Sequence, residues 1–311
     1  MKILVTTPTG RVGQEVLREL LAPEFEVRVI LRNPERLPVE TRDQLEIVRG
    51  SIEDGALLGQ SLHGVDSLFW CIPSVGIQEH NVREYYRRMA RAASQAVREA
   101  QTPRVVSIST IGNGLAPDGG PIAALHEMEE ILNRSGAAIR HLRCGSFMEN
   151  FLKLAPQLAE HGYFSYPIPG NIPVPMVAVR DVADAALRWL VRRDWDGVDA
   201  VGVHGPEDLS YNQAAAVIER ILERPIRFRE VSANLYVQTL VRDGASPDYA
   251  KSLVNLFGVL AQGIETAKVR SAECAESMRF FEWVEQKLKP AVDSAGRPLE
   301  AAGTCSCRCE R

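Results

Sequence analysis

The feature that most constrains this 311-residue chain is an alternation of short apolar runs with amphipathic segments through its first half. Lys2–Thr6 is expected to form a strand, Glu26–Leu31 a second, Leu45–Arg49 a third and Ser67–Ile72 a fourth. Arg104–Ser109 and Ala138–Arg143 follow as a fifth and sixth. Between them, Gly13–Leu21 carries Val16, Leu17, Leu20 and Leu21 along one side of a helix, and Ala124–Arg134 reads as another. Asn81–Ala100 is a long helix whose Val82, Tyr85, Met89, Ala92, Ala96 and Ala100 recur at three- and four-residue steps. Strands joined by crossovers this long do not pair as hairpins. They imply an α/β, doubly wound parallel sheet with helices on both faces.

Past residue 150 the rhythm changes. The Pro/Gly-rich stretch from Tyr166 to Pro175 cannot be regular helix. Arg180–Val191 reads as a helix with Asp181 in its first turn, and Ala200–His204 as a strand. Ser210 caps a helix over Tyr211–Leu222, Ile226–Glu230 is strand-like, and Ala233–Gly263 is mostly helical. The expected division is a cofactor domain over 1–150 with returns from about 176–204. Residues 151–175 and 205–290 then form a smaller, mostly helical substrate lobe, and 291–311 a disordered tail.

Composition narrows the function classes. At 45% hydrophobic and 24% charged the chain is ordinary globular material. Its balance of 36 basic against 40 acidic side chains offers no basic block for a phosphate backbone, so no nucleic-acid partner is expected. No apolar run is long enough to span a membrane, and the apolar N-terminal run is too short for a signal peptide, so a cytoplasmic protein is expected. Cys71, Cys144 and Cys274 read as small buried hydrophobes. Cys305, Cys307 and Cys309 form a C-x-C-x-C tail whose spacing is not that of a zinc finger, and no histidine pair has metal-ligand spacing. No metal site is expected.

The sharpest local signal lies between the first strand and first helix. Thr7, Thr9, Gly10, Arg11, Val12 and Gly13 fit a G-x-x-G-x-x-G dinucleotide template in which Thr7 replaces the first glycine. Gly10 would allow close approach of a pyrophosphate at the helix N-terminus, and Gly13 close helix–sheet packing. The second strand ends not in an acidic residue, which would bind a ribose 2′-hydroxyl, but in Leu31, Arg32 and Asn33. A guanidinium at Arg32, with Arg11 as a second positive charge, favours the 2′-phosphate of NADP(H) over NAD(H). The competing reading is that both arginines are solvated.

Several motifs together resemble one family. Thr9-Gly10 with Gly13, Arg32 to Pro34, Gly50 to Asp54, Glu129 to Gly136, Leu142-Arg143, Phe147 to Asn150, Val179 to Ala183 and Gly205 to Ser210 resemble the NmrA-like branch of atypical short-chain dehydrogenases/reductases, over nearly the whole chain to about residue 290. The resemblance implies a Rossmann-type fold. It places the segment matching Ser51–Ile52 beside the adenine, with Ser51 replacing the family's usual Asp, and Ile72, Pro73 and Ser74 beside the ribose and nicotinamide.

Ordinary short-chain reductases polarise a carbonyl with a Tyr acidified by a Lys four residues later. Aligned on Glu129 and Ser135-Gly136, those positions fall on Pro121 and Leu125, neither of which can transfer a proton. His126 is the remaining titratable candidate, offset by about 100° round a helix. Ser109 and Thr110, at a strand's carboxyl end, are placed to offer hydroxyls or to cap the strand. Phe147, Met148 and Asn150 follow the sixth strand and would either wall a substrate pocket or fill core.

Two functions follow from the resemblance. One is an NADPH-dependent oxidoreductase acting on a quinone or another conjugated or aromatic carbonyl compound, which needs no Tyr–Lys pair because its proton can come from solvent. The other is an NADP(H) sensor without turnover that answers to a regulatory protein partner. Asn81–Ala100 occupies the position of the long helix that often pairs subunits in this fold, which allows a homodimer.

Overall fold

The computed structural model describes residues 1–112, 118–263 and 277–296. The main sheet is parallel throughout. It comprises β1 (Lys2–Thr6), β2 (Glu26–Leu31), β3 (Leu45–Arg49), β4 (Ser67–Trp70), β5 (Arg104–Thr110), β6 (Ala138–Cys144) and a later strand, Val198–Val203. The spatial order is β3-β2-β1-β4-β5-β6 with Val198–Val203 outside β6. The chain therefore reverses its winding direction between β1 and β4, and ligands of open α/β sheets bind in the crevice at that point.

Helices cover both faces. The connections carry α1 (Arg11–Leu20), a single turn α2 (Val39–Arg42), α3 (Gly55–Leu62), α4 (Val82–Ala100) and α5 (Pro121–Leu132). Strand alternation sorts the core: Ile3 and Val5 face one way, into an apolar layer shared with Val16, Leu20, Ala183 and Leu190. Leu4 faces the other, among Leu58, Met89, Ala93 and Leu132.

Several boundaries differ from the sequence reading by a few residues, and three differences have a plain local cause. Helix α5 starts at Pro121 rather than Ala124, because Pro121 takes the first helical position after Gly120, at φ 59°. Helix α3 was not expected, since Gly55 and Gly59 dilute its pattern; Asp54 nucleates it by accepting from Ala56 N and Leu57 N at 3.0 and 3.1 Å. Strand β4 stops at Trp70 because the next amide, Cys71 N, donates to the Thr6 hydroxyl at 2.8 Å.

Beyond β6 the chain builds a second apolar cluster. Its elements are β7 (Ser146–Phe147), α6 (Ala155–His161), β8 (Tyr163–Tyr166) and β9 (Val174–Val177). After these come α7 (Val179–Val191), which returns to pack on α1, and β10 (Val198–Val203), the outer strand of the main sheet. Then follow β11 (Glu207–Leu209), α8 (Tyr211–Leu222), β12 (Arg227–Glu230), α9 (Ala233–Arg242) and α10 (Pro247–Leu260). A final helical run contains α11 (Phe280–Trp283) and α12 (Lys289–Ala295), joined by a π-helical turn. Ser210 caps α8 in a reciprocal box with Gln213, as its sequence announces. The region is less purely helical than expected: β11-β9-β7 and β12-β8 form two small sheets. The Pro/Gly-rich stretch is the link between β8 and β9.

Asp181 is more than a first-turn acid. It is buried, and its Oδ2 accepts from Met278 N at 3.0 Å, tying the C-terminal run to α7. Glu149 Oε1 accepts from Trp283 Nε1, and Glu207 Oε1 from Phe280 N, both at 3.0 Å. Cys274 and the C-x-C-x-C tail lie outside the described residues.

Candidate functional site

The loop between β1 and α1 sits at the sheet's switch point, and its backbone is set by close approach. Thr7 has φ 50°, the left-handed conformation that the missing glycine would adopt without strain. Its hydroxyl compensates by donating to Cys71 O at 2.6 Å. Its carbonyl accepts from Gly10 N at 2.9 Å, and a Cβ on Gly13 would come within 2.1 Å of that same oxygen. Gly13 is thus required for α1 to lie against the loop. Gly10 caps α1 with no side-chain bond, and the first turn holds no acidic residue. The unpaired amides and positive helix end are left for an anion. Thr9 is half-buried beside them, and Val12 is buried in the core. Arg11 is exposed, and its Nη1 donates to Glu149 O at 2.5 Å, bridging the loop to the segment after β7.

Arg32 extends from the end of β2, exposed and without a hydrogen-bond or ion-pair partner among the described residues. Beside it, the Tyr85 hydroxyl donates to Pro73 O at 3.1 Å. Burial, with Glu53 adding to it and Arg88 and then Arg32 opposing, pushes the Tyr85 phenol up to about 12. Ser51 and Ile52 follow β3; Ser51 Oγ accepts from Glu53 N at 3.3 Å, and Ile52 is buried. Ile72 and Pro73 are half-buried and Ser74 is exposed, just beyond β4. These groups border the carboxyl ends of β1 to β4. A nucleotide carrying a 2′-phosphate fits the donor set: amides at α1 and the unpaired Arg32 guanidinium just after β2.

The β5 side is differently built. Ser109 is buried, and its hydroxyl donates to Glu129 of α5 rather than to an open cleft. Glu129 in turn takes a forked pair of bonds from Arg143, at 3.1 and 2.6 Å. Burial pushes this carboxyl up, but Arg143 and Ser109 hold it below its ordinary value. The motif residues Glu129 and Arg143 therefore clamp α5 to β6. His126 Nε2 lies 2.8 Å from Thr110 O, which holds the ring against the end of β5. Pro121 opens α5, and Leu125 packs into apolar core. Met148 is fully buried in the second cluster, Phe147 packs against the main core and Asn150 is exposed, so the three do not share one wall.

Sequence reasoning passed over Glu149, whose carboxylate also accepts from Val179 N at 3.0 Å and so caps α7. It also missed how α10 meets α4: Asp248 Oδ2 accepts from Val82 N at 2.9 Å, and Ser246 N donates to Ile77 O at 2.7 Å. No local signal announces a contact such as Val82 with Asp248, 166 residues apart. Cys71 and Cys144 are free thiols; Cys144 is buried as expected, whereas Cys71 is half-buried, and desolvation pushes its thiol up to about 11. Among the described residues no cluster could hold a metal, and no helix is long and apolar enough to cross a membrane. A shallow depression of about 320 Å³ between α8 and β12 takes no residue from the sheet's carboxyl edge.

With this geometry in hand, comparison with known proteins is direct. The family model of the NmrA-like family matches residues 1–285. The chain belongs to the NmrA-like family. It is 32% identical over 234 residues to a (4-alkanoyl-5-oxo-2,5-dihydrofuran-3-yl)methyl phosphate reductase of Streptomyces griseus, covering 75% of this chain and 78% of that one. Among solved structures, the NADPH-dependent quinone oxidoreductase QOR2 of Escherichia coli in complex with NADPH superposes with a TM-score of 0.77. It is 22% identical, with 91% of this chain and 98% of that one covered. The negative transcriptional regulator NmrA superposes with a TM-score of 0.74 at 17% identity, covering 96% and 98%. The NmrA-like fold thus serves proteins described both as reductases and as a regulator.

Proposed function

We propose that this NmrA-like chain is an NADP(H)-dependent oxidoreductase that reduces a quinone or another conjugated or aromatic carbonyl compound. The observation that carries the reading is the lone Arg32 guanidinium at the end of β2, beside a loop and helix end left without side-chain caps. Amides from Arg11 to Gly13 would hold the pyrophosphate, and Arg32 the 2′-phosphate. Ser51 and Ile52 would border the adenine, and Ile72, Pro73 and Ser74 the nicotinamide half. The bound cofactor supplies the hydride. What the chain adds is orientation and exclusion of water, which suffices for an acceptor whose electrons are already delocalised. Residues 1–150 and 176–204 would carry the cofactor, and 151–175 and 205–290 would close the substrate side.

The 32% identical relative is a reductase of a compound whose name describes an unsaturated, acyl-bearing ring, which supports a conjugated acceptor. Pro121 and Leu125 exclude a Tyr–Lys pair on α5, consistent with chemistry in which the proton comes from water or His126. Their presence also favours a second reading, in which NADP(H) occupancy without turnover controls contact with a regulatory partner. The test is to follow reduced-nicotinamide absorbance while adding quinones and unsaturated lactones. Consumption matched by reduced acceptor supports the oxidoreductase. Binding with no consumption across the panel supports the sensor.

A further inference from the structure

Its place in sequence alone would turn His126 about 100° away from the missing lysine's position on α5. The side chain recovers that turn by reaching back to the sheet. Its Nε2 lies 2.8 Å from the carbonyl oxygen of Thr110, the last residue of β5. Thr110 and Pro73 each stand three residues beyond the last pairing of β5 with β4, that of Ser107 with Trp70. The chain between Trp70 and Pro73 is tied to the cofactor loop, because the Thr6 and Thr7 hydroxyls both donate to Cys71 O, at 3.1 and 2.6 Å. The imidazole therefore sits at the sheet's carboxyl edge, on the strand next to the one whose end borders the proposed nicotinamide half.

The contact also fixes which nitrogen is available. A carbonyl oxygen only accepts, so Nε2 carries a hydrogen and donates it. The neutral ring then has a bare Nδ1, and the charged ring has an N–H there. Nδ1 has no hydrogen-bond partner among the described residues, and it is not one of the unpartnered atoms shut off from solvent. The charged and titratable groups packed around it are engaged elsewhere. On α5, Glu127 takes bonds from Arg83 and Arg87 of α4, each at 2.7 Å, and Glu129 is held by Ser109 and Arg143. On β6, His141 lies between Ser107 Oγ and Asn133 Oδ1, at 2.6 and 2.8 Å, and burial pushes it down to about 4, so it is uncharged at neutral pH. On α10, Asp248 accepts from Val82 N.

We propose that His126, as an imidazolium anchored through Nε2 on Thr110 O, donates through Nδ1 to the substrate oxygen and supplies the proton that Pro121 and Leu125 cannot. This rests on the oxidoreductase reading above and chooses the histidine over water as the donor. As the acceptor takes a hydride at its electrophilic carbon, one π pair shifts onto the conjugated oxygen. The Nδ1–H bond breaks, its proton passes to that oxygen and its electron pair stays on nitrogen. The ring is left neutral, still bonded to Thr110 O, and solvent restores the proton. NADPH, acceptor and H⁺ thus become NADP⁺ and reduced acceptor.

The test separates anchoring from proton donation. His126→Gln places an amide N–H near the Nε2 position, so it keeps the bond to Thr110 O and removes the acid. With a quinone acceptor its kcat/KM should fall on the order of a hundredfold, while NADPH affinity changes less than about twofold. His126→Ala should fall as far, and added imidazole should restore part of its rate. A Gln variant with turnover near wild type, or an Ala variant that imidazole does not rescue, would overturn the proton-donor role while NADPH binding and wild-type turnover stand. A wild-type protein that binds NADPH yet reduces no acceptor would overturn the oxidoreductase reading and this inference together.

Discussion

The two halves of the sheet's carboxyl edge are built by different means. Along β1, β2 and β3 the site is made of backbone: a left-handed Thr7, a Gly13 with no room for a Cβ and an uncapped helix end, with Arg32 as its one prominent side chain. Along β4 and β5 the edge is held by side chains, with Glu129 of α5 engaging Ser109 and Arg143 and Asp248 of α10 accepting from Val82 N. Backbone sites need particular residues at particular spacings, so they leave a mark in sequence. Side-chain sites need only shape and partners, so the second half can change its chemistry while the first persists.

The sharpest break in that contrast would come at Gly13. Gly13→Val places a side chain against the Thr7 carbonyl and should cost about 3 kcal/mol or more, with NADPH binding lost. Denaturant unfolding and a fluorescence titration check both, and a variant with wild-type affinity would show that the loop is not a backbone cradle. Next is Arg32→Asp, which exchanges attraction for repulsion at the 2′-phosphate. NADPH affinity should fall on the order of a hundredfold and NADH affinity by only a few-fold; equal losses would falsify the assignment.

Asp181→Asn examines a side-chain tie away from that edge, between α7 and the C-terminal run. Burial raises the Asp181 carboxyl to about 6, above its ordinary 3.8, so folding favours the protonated acid. Its contribution is full below pH 3.8 and is lost as pH rises through about 6. The amide still accepts from Met278 N but avoids that loss, so the variant should gain about 1–2 kcal/mol at pH 8 and nearly nothing at pH 4. Melting curves at the two pH values decide it. The smallest effect is expected from Thr7→Gly: relief of the left-handed strain and loss of the bond to Cys71 O nearly cancel, leaving a stability change under about 1 kcal/mol. A large loss would mean that Thr7 anchors the loop chiefly through its hydroxyl.

The same contrast explains what the sequence could reveal. The parallel order, the loop at the switch point and the arginine after β2 were legible because strand periodicity, glycine spacing and charge are local. Helix α4 and the Ser210 cap were legible for the same reason. Helix α3 escaped because two glycines weaken its pattern, although its Asp54 cap stood in plain view. Ser109 was readable as a strand-end hydroxyl, but its engagement by Glu129 and Arg143 depends on α5 crossing over β6.

The central claim is that the backbone-built half is an NADP(H) site. Its most direct test is the affinity of the wild-type protein for NADPH and for NADH, measured side by side by fluorescence titration. The account predicts tighter binding of NADPH by about tenfold or more, from charge-assisted bonds to the 2′-phosphate. Equal affinity for the two, or no binding of either, would contradict it.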